Sequence, residues 1–272
     1  MSLIVVRSKS RVILSSEIFA FGGFKCEECI FVGLRGSMNK VFISGEKVDL
    51  CIPDEGDFEK WANWFNSQKI TEFLEQGKYP NTVVQQREFF ENAVRAGRFL
   101  CLIKTKDGDL LGVISLSEIN YEKSSCHVAY VCPEKSDKAP LAALEALALC
   151  VQHAFNRFGM SRVWAGHSYP GLKKWTLKTE AIGFKTDGID PKGACHGIAE
   201  NDGIRTSISK ERFLQLTNRR NGSLWAGELV MKKILVELQG QLPLAQQVHE
   251  AITALHQKHD QLLAEIEINV QK

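Results

Sequence analysis

The stretch CHVAYVCPE, residues Cys126–Glu134, decides the fold of this chain. Its β-branched and aromatic residues predict a strand at Cys126–Val131, which ends before a proline because proline has no N–H to donate to a sheet. Side chains alternate along a strand, so His127 faces away from its two neighbours. The helical spacing of apolar residues in Pro140–Phe158 predicts a long buried helix after this strand.

The residues before this strand predict a strand, two helices and a hairpin, in that order. Apolar residues alternate in the first strand and recur at helical spacing in the two helices. An Asp-Gly turn between apolar runs is a strong hairpin signal. The predicted elements are the strand Val48–Ile52, the helices Phe58–Phe65 and Val84–Ala96, and the hairpin strands Phe99–Lys104 and Leu110–Leu116.

The residues after the long helix predict two further strands, a helix between them, and two C-terminal helices. The helix between the strands ends at a Gly-Phe pair, as expected for a glycine at a helix C-terminus. The predicted elements are Arg162–Gly166, Leu172–Ile182, Ile204–Ile208, Glu228–Leu238 and Ala245–Val270.

The last predicted helix has a seam of mostly apolar residues at alternating spacings of four and three. This spacing predicts a coiled coil, and its three heptads leave a helical hairpin and an intermolecular zipper both open. We expect a homodimer through the C-terminal helices. The seam residues are Val248, Ile252, Leu255, His259, Leu262 and Ile266.

Composition argues against several classes of protein. The 272 residues are 44% hydrophobic and 24% charged, and a formal net charge of +2 gives no reason to expect a nucleic-acid ligand. The chain has neither a recognisable signal peptide nor an apolar run of the ~20 residues that a membrane helix needs. The Cys26 and Cys29 pair has no second pair at zinc-site spacing. We therefore expect reduced thiols, no metal site, no membrane contact and a cytoplasmic location.

The order of the predicted elements resembles that of the GNAT N-acetyltransferases. Ala129–Glu134 is similar to the fourth strand of that family, which reads Gly-Tyr and then Pro-Glu. Glu180–Phe184 is similar to the family's Glu-Lys-Leu-Gly-Phe helix end. A strand, an acidic turn and a helix with Trp61 and Trp64 resemble the branch that contains the ribosomal-protein N-terminal acetyltransferases.

The resemblance implies an α/β fold with a mixed, mostly antiparallel twisted sheet flanked by helices. We expect three parts along the chain. A β-rich N-terminal extension covers residues 1–46, and an acyltransferase domain covers residues 47–209. A helical hairpin or coiled coil for dimerisation or interaction covers residues 210–272.

The resemblance also implies acetyl-CoA as a co-substrate. In the family, the fourth strand diverges from its parallel neighbour, and the pantetheine arm pairs with the exposed backbone. N–H groups at the start of the next helix hold the pyrophosphate. Leu141 departs from the family pattern, because it replaces a glycine of that phosphate loop. The expected cofactor-binding residues are Val128, Ala129, Tyr130, Val131, Lys138, Ala139, Leu141, Ala142, Ala143 and Trp175.

Acetyl transfer to an amine needs a group that takes a proton from the amine, and an acid can assist the leaving thiolate. His127 stands where this branch often has a glutamate, and we expect it to be the base. A histidine with a structural hydrogen bond on the sheet would look the same in the sequence. Glu118 is the second candidate for the base. Thr179 stands where the family has its acidic tyrosine, so Tyr169 is our first candidate for the acid.

The predicted function is acetyl-CoA-dependent acetylation of a primary amine by direct attack in a ternary complex. The acceptor is a small molecule, such as an amino sugar or sugar nucleotide, or a protein N-terminus. Acidic residues between Gly188 and Gly203 suit a cationic amine, although a solvated loop is the favoured explanation for them. The alternative is a catalytically silent GNAT-like module that binds acyl-CoA or a protein.

Overall fold

The structure is a computed structural model, which describes residues 40–270 except 73, 75–76, 172 and 195–199. Residues Asn39–Lys272 form one compact unit. The β-rich character predicted for most of residues 1–46 and the Cys26 and Cys29 pair lie outside the described residues. None of the described helices is long and apolar enough to cross a membrane.

The described strands form one eight-stranded sheet in the order β1-β2-β3-β4-β5-β6-β8-β7. All neighbouring strands are antiparallel except β5 and β6, which are parallel. This mixed sheet with helices on both faces confirms the predicted α/β fold. The strands are β1 Val41–Ser44, β2 Val48–Cys51, β3 Phe99–Thr105, β4 Leu110–Asn120, β5 Ser125–Val131, β6 Arg162–Tyr169, β7 Lys185–Asp190 and β8 Asp202–Ser209.

Helices cover both faces of the sheet because the strands are apolar on both faces. One core cluster lies between the sheet and the long fourth helix, and a second lies under the first and third helices. The helices are α1 Asp57–Phe65, α2 Gln68–Thr71, α3 Val83–Arg95, α4 Ala142–Asn156, α5 Lys173–Ala181, α6 Lys210–Arg219, α7 Glu228–Gln239 and α8 Leu244–Val270.

Every strand and helix predicted after residue 47 is present within a few residues of its predicted bounds. The sequence analysis missed β1, α2, β7 and α6. Strand β7 was read as a loop because it is polar, contains Gly188 and lies at the edge of the sheet. Its exposed position removes the apolar alternation on which a strand prediction depends.

The C-terminal helices begin by packing on the same core as the sheet. Phe213 of α6 stacks on Phe155 of α4 with 4.5 Å between ring centroids, and Met231 of α7 is fully buried. Burial in α8 is confined to its start, where Ala245 is buried, and residues 253–270 are exposed. The division of the chain after residue 209 stays a prediction.

A buried carboxylate fixes the position of α4 against the first two strands. Glu145 accepts hydrogen bonds from the backbone N–H groups of Glu46 and Lys47. Burial raises the pKa of Glu145. The turn approaches so closely that a Cβ atom at Gly45 would lie 2.3 Å from the Glu145 Oε1 atom. Only glycine fits here, so the start of α4 is held in a defined place.

A buried ion pair joins α1 to β3, and we expect its loss to be costly. Lys104 Nζ lies 2.8 Å from Asp57 Oδ1, and the side chains are 4% and 9% exposed. Lys104→Met should lower the free energy of unfolding by about 3–5 kcal/mol, because it leaves a buried carboxylate without its partner. Urea titration measures this loss.

The matched control is Arg95→Met, because Arg95 pairs with Glu91 on the exposed face of α3. Exposed pairs contribute about 0–1 kcal/mol, so the control should change the urea midpoint little. Equal effects of the two substitutions would show that the Lys104 pair does not anchor α1.

Candidate active site

Strands β5 and β6 pair only where they begin. Their parallel register starts at Ser125 opposite Arg162 and ends at His127 opposite Trp164. Both strands continue, but the described structure contains no β5–β6 pairing beyond this point. The two strands therefore separate into a wedge-shaped gap, as the resemblance to the GNAT family implied.

The predicted cofactor strand forms one side of the gap. Val128, Ala129, Tyr130 and Val131 follow the last β5–β6 pair and are paired with β4 on their other side. Backbone N–H and C=O groups on the open side are directional partners for a ligand rich in amides. Val128 is fully buried in the core, whereas the other three residues are half-buried.

Helix α5 brings Trp175 to this strand. The centroid of the Trp175 ring lies 4.6 Å from that of Tyr130, and Lys178 Nζ lies 5.6 Å from the centre of the tyrosine ring. Burial raises the pKa of Tyr130 and lowers that of Lys178. The buried Trp175 indole N–H has no hydrogen-bond partner in the part of the chain that is described. The aromatic pair therefore occupies space beside the gap and presents an unused donor there.

The predicted phosphate loop leads into the first turn of α4. The N–H groups of Ala139 and Ala142 donate to backbone carbonyl groups of Ser136 and Ala139. Those of Leu141 and Ala143 donate no hydrogen bond within the described residues. Free N–H groups at a helix N-terminus favour an anion, since the helix dipole is positive there.

The side chains of Lys138 and Leu141 could each hinder phosphate binding by this loop. Lys138 forms an exposed ion pair with Asp107, whose hydrogen bond and charge raise the pKa of Lys138. Leu141 packs against the hydrophobic core, so its bulk is directed towards the protein. The loop therefore keeps an open backbone surface in spite of the leucine.

His127 lies at the last β5–β6 pair, where the gap begins. Its Nδ1 atom is 3.1 Å from the Ser117 hydroxyl, and its ring centroid is 4.3 Å from that of Trp164. Burial, with a smaller effect from the positive charge of Arg98, lowers the pKa of His127 to about 4. The imidazole is therefore neutral at pH 7 and can accept a hydrogen bond or a proton.

Glu118 lies in an irregular part of β4 next to His127. The register between β4 and β5 shifts after Ser117, and Glu118 has a φ of 50°. A non-glycine residue in this region is uncommon, and bulges of this kind often re-aim a side chain beside a functional site. Glu118 and His127 line the same cavity, so the structure brings the two predicted bases together.

This cavity, which we call the acceptor cavity, has a volume of about 790 Å³. It opens on the α1 and α3 side of the sheet, where the gap between β5 and β6 begins. Its lining is polar and carries charges of both signs. The lining residues are Lys78, Glu118, His127, Trp164, Gly166, His167, Ser168, Asp190, Gly193, Ala194, Gly203, Ile204 and Arg205.

Comparison with known families identifies this architecture. Residues 50–169 match the sequence model described as the acetyltransferase (GNAT) domain. This part of the chain is similar to the GNAT acetyltransferases. The match contains β5, the predicted phosphate loop, α4 and all of the acceptor-cavity residues on β4 to β6. The finer assignment to the ribosomal-protein branch stays a prediction.

Several solved structures of acetyltransferases have a similar fold. Spermidine N-acetyltransferase from Vibrio cholerae, in complex with CoA and spermine, is 16% identical with a TM-score of 0.56, over 62% of this chain and 99% of that one. MccE, the microcin C7 self-immunity acetyltransferase, in complex with acetyl-CoA and AMP, is 17% identical with a TM-score of 0.52, over 61% and 93%. A GNAT-family acetyltransferase from Bacillus anthracis is 19% identical with a TM-score of 0.53, over 62% and 98%. At these identities the likeness shows the fold alone. No curated protein matches the sequence.

The predicted acid, Tyr169, lies at the C-terminal end of β6. Its ring contacts that of His249 of α8 at a tilt, with 4.2 Å between centroids, and His249 Nε2 is 2.8 Å from Asp202 Oδ2. Tyr169 lines a second cavity of about 170 Å³, which shares His167 and Ser168 with the acceptor cavity. Thr179 is fully buried, and its hydroxyl donates to the Thr176 carbonyl. The structure therefore places Tyr169 outside the acceptor cavity that holds His127 and Glu118.

Sequence reasoning missed several residues of β6 and β8 that line the acceptor cavity. Trp164 and Ser168 alternate on one face of β6, and Arg205 is opposite Gly166 on β8. His167 points to the other face, where its Nε2 atom is 2.9 Å from the Thr176 hydroxyl. Strand alternation could have grouped Trp164 and Ser168, but only the register shows that Arg205 joins them.

The low pKa of His127 predicts a specific loss of stability in acid. The unfolded chain protonates this histidine near pH 6.5, whereas the folded chain does so near pH 4. The folded state binds fewer protons between these values, so the free energy of unfolding falls as the pH drops from about 6.5 to 4. In His127→Gln, the fall measured by urea titration at several pH values should be smaller.

His256→Gln is the matched control, because His256 is exposed on α8 and should leave the pH dependence unchanged. The same pH dependence in wild type and His127→Gln would contradict the buried, neutral state of His127.

Proposed function

We propose that this chain is an acetyl-CoA-dependent N-acetyltransferase that acts on a primary amine. The observation that carries the proposal is the gap between β5 and β6, which opens at His127 beside the acceptor cavity. The match of residues 50–169 to the GNAT domain supports it. The acceptor is a small molecule, such as an amino sugar or sugar nucleotide, or a protein N-terminus.

The donor site follows from the unused backbone groups. The pantetheine arm would lie along Val128–Val131 and pair with the open side of that strand. The pyrophosphate would meet the N–H groups of Leu141 and Ala143 at the start of α4. Lys138 would contribute its positive charge after release from Asp107. Solved structures of two similar proteins contain CoA or acetyl-CoA, which supports this donor.

The proposed reaction is a direct attack of the amine on the thioester carbonyl carbon. The new C–N bond forms a tetrahedral intermediate, the C–S bond then breaks, and the thiolate leaves. His127 accepts the amine proton at Nε2 in the tautomer whose Nδ1–H donates to the Ser117 hydroxyl oxygen, a contact that holds the ring in place. Glu118, which lines the same cavity, is the second proton acceptor. Tyr169 stays the candidate acid for the thiolate only if it leaves its contact with His249.

Two observations favour a second function, that of a catalytically silent module. Trp175 packs on Tyr130 beside the gap, and Asp107 holds Lys138. If both contacts persist, the arm and the phosphates lose part of their site. Such a module would use the fold to bind acyl-CoA weakly or to bind a protein partner.

Binding of acetyl-CoA separates the two functions. A ligand at 100 times its Kd adds about 2.7 kcal/mol to the free energy of unfolding, so the melting temperature of the full chain should rise by several degrees. ATP is the control, because it has the adenine and the phosphates but lacks the pantetheine arm. No shift at millimolar acetyl-CoA would refute the enzyme, and an equal shift with ATP would refute the role of the gap.

His127→Ala tests the base once an amine substrate is found by thiol release. The substitution should lower kcat by about a hundredfold, because general-base catalysis contributes on this scale, and should leave the acetyl-CoA melting shift unchanged. Ser125→Ala on the same strand is the control, since Ser125 lies at the paired start of β5. An unchanged rate in His127→Ala would remove His127 from the mechanism.

The exposed seam of α8 supports the expected homodimer. Leu255, Leu262 and Ile266 are 65%, 52% and 48% exposed within one chain. A second copy of the helix would cover them as a coiled coil. The start of α8 contacts β8 through the hydrogen bond between His249 and Asp202, and the exposed part of the helix begins after this contact.

Light scattering after size exclusion tests the dimer. The wild type should have twice the mass of one chain at micromolar concentration, and Leu262→Glu should have the mass of one chain, because a charge cannot be buried in the seam. Gln261→Glu, one position away from the seam, should remain a dimer. A monomeric wild type would rule out this role of α8.

A further inference from the structure

The acceptor cavity contains a cation that has no anionic partner among the described residues. Arg205 of β8 is exposed, lines the cavity and makes no ion pair with any described residue. Its Cζ atom lies 5.6 Å from the centre of the Trp164 ring. A guanidinium over an indole is attracted to the ring, and it remains charged at any pH of interest. Arg205 therefore brings a positive charge to the cavity beside Trp164.

Glycines leave the space around Arg205 open. The residues opposite Arg205 on the two neighbouring strands are Gly166 of β6 and Gly188 of β7. Neither position has a positive φ, so the backbone does not require glycine there. A Cβ atom at Gly166 would meet nothing closer than the Ile204 carbonyl oxygen at 3.7 Å. Because these glycines have no side chains, the sheet surface beside Arg205 has room for a ligand.

A buried hydroxyl on the same face of β6 also lacks a hydrogen-bond partner among the described residues. Ser168 is 4% exposed, and its Oγ atom makes no hydrogen bond with the described residues. It lines the acceptor cavity two residues after Gly166 on the same face of β6. A buried hydroxyl without a partner costs free energy, so a ligand oxygen that accepts its proton would be favoured.

The anion anchor and the proposed base lie on opposite neighbours of β6, which carries Trp164. Trp164 lies 4.3 Å from His127 of β5 between ring centroids and 5.6 Å from Cζ of Arg205 of β8. The carboxylate of Glu118 lines the cavity on the His127 side, and that of Asp190 lines it on β7, next to the strand of Arg205; neither forms an ion pair among the described residues. A molecule with an ammonium at one end and anionic oxygens at the other would match both ends.

We propose that the acceptor is an amine that also carries a carboxylate or phosphate, whose oxygens bind Arg205 and Ser168 while its amine lies at His127. This rests on the proposed acetyl transfer and names its substrate class. A polycationic amine would place a positive group against Arg205 without compensation. The proposal therefore separates this cavity from one that accepts a polyamine.

Matched amines test the proposal with the full chain, acetyl-CoA and detection of released thiol. The pairs are 4-aminobutyrate with butylamine, and glucosamine 6-phosphate with glucosamine, and spermidine is the polycation. The anionic member of at least one pair should have a kcat/KM at least tenfold higher than its neutral partner. The pair that shows the preference separates a carboxylate from a phosphate. A preference for the neutral members or for spermidine would overturn the proposal.

Arg205→Met tests the anchor itself. It should lower kcat/KM for the anionic amine by about ten- to a hundredfold, mainly through KM, because hydrogen bonds to a charged group are lost. The neutral partner should change less than twofold. An equal loss for both amines would show that Arg205 does not read the anion.

Gly166→Val and Gly188→Val form a matched pair that tests whether the ligand needs the open space at Gly166. Both place the same side chain opposite Arg205, but only Gly166 lines the cavity. Gly166→Val should lower kcat/KM for the anionic amine at least tenfold with an unchanged acetyl-CoA melting shift, and Gly188→Val should not. Equal changes in kcat/KM for the two variants would show that the ligand does not need the space at Gly166.

Different results would overturn the proposed acetyl transfer and the proposed anion anchor. If no amine releases thiol, the proposed acetyl transfer fails and the substrate class falls with it. If neutral and anionic amines are acetylated equally well, acetyl transfer stands and only the anion anchor is overturned.

Discussion

The parallel contact between β5 and β6 is the constraint on which the rest of the structure depends. A parallel pair needs a crossover, and here the crossover is α4, which must begin where β5 ends. The two strands separate towards that same end. The open strand edge and the free N–H groups of Leu141 and Ala143 therefore lie at one end of the sheet by topology. The sites proposed for the pantetheine arm and for the phosphates are therefore close to each other by topology alone.

The separation is tolerated because each strand keeps a complete partner on its other side. Strand β6 pairs with β8 from Arg162 to Tyr169, and β5 pairs with β4 over most of its length. Helix α4 covers the paired region with a fully buried apolar face, held in place by Glu145. The pairing of β5 with β4 and of β6 with β8 thus stabilises the sheet, and the edges that face the gap keep unpaired backbone groups.

The last residue pair before the gap organises the polar side. His127 and Trp164 face each other there, and burial keeps the histidine neutral at pH 7. A neutral imidazole is the form that can take a proton, and its low pKa makes it a weak base. The bulge at Glu118 places a carboxylate in the lining of the same cavity.

The sequence by itself determined the order of the elements, which follows from local rules: strand alternation, helical periodicity and turn residues. The cofactor strand and the site candidates His127 and Glu118 came from the resemblance to the GNAT family, and they stay predictions. The sequence did not reveal strand β7, the contact of Tyr169 with α8, or the presence of Arg205 beside Trp164. Those features depend on which strands become neighbours and in what register. Such pairings join residues far apart in the chain, so only the tertiary structure could decide them.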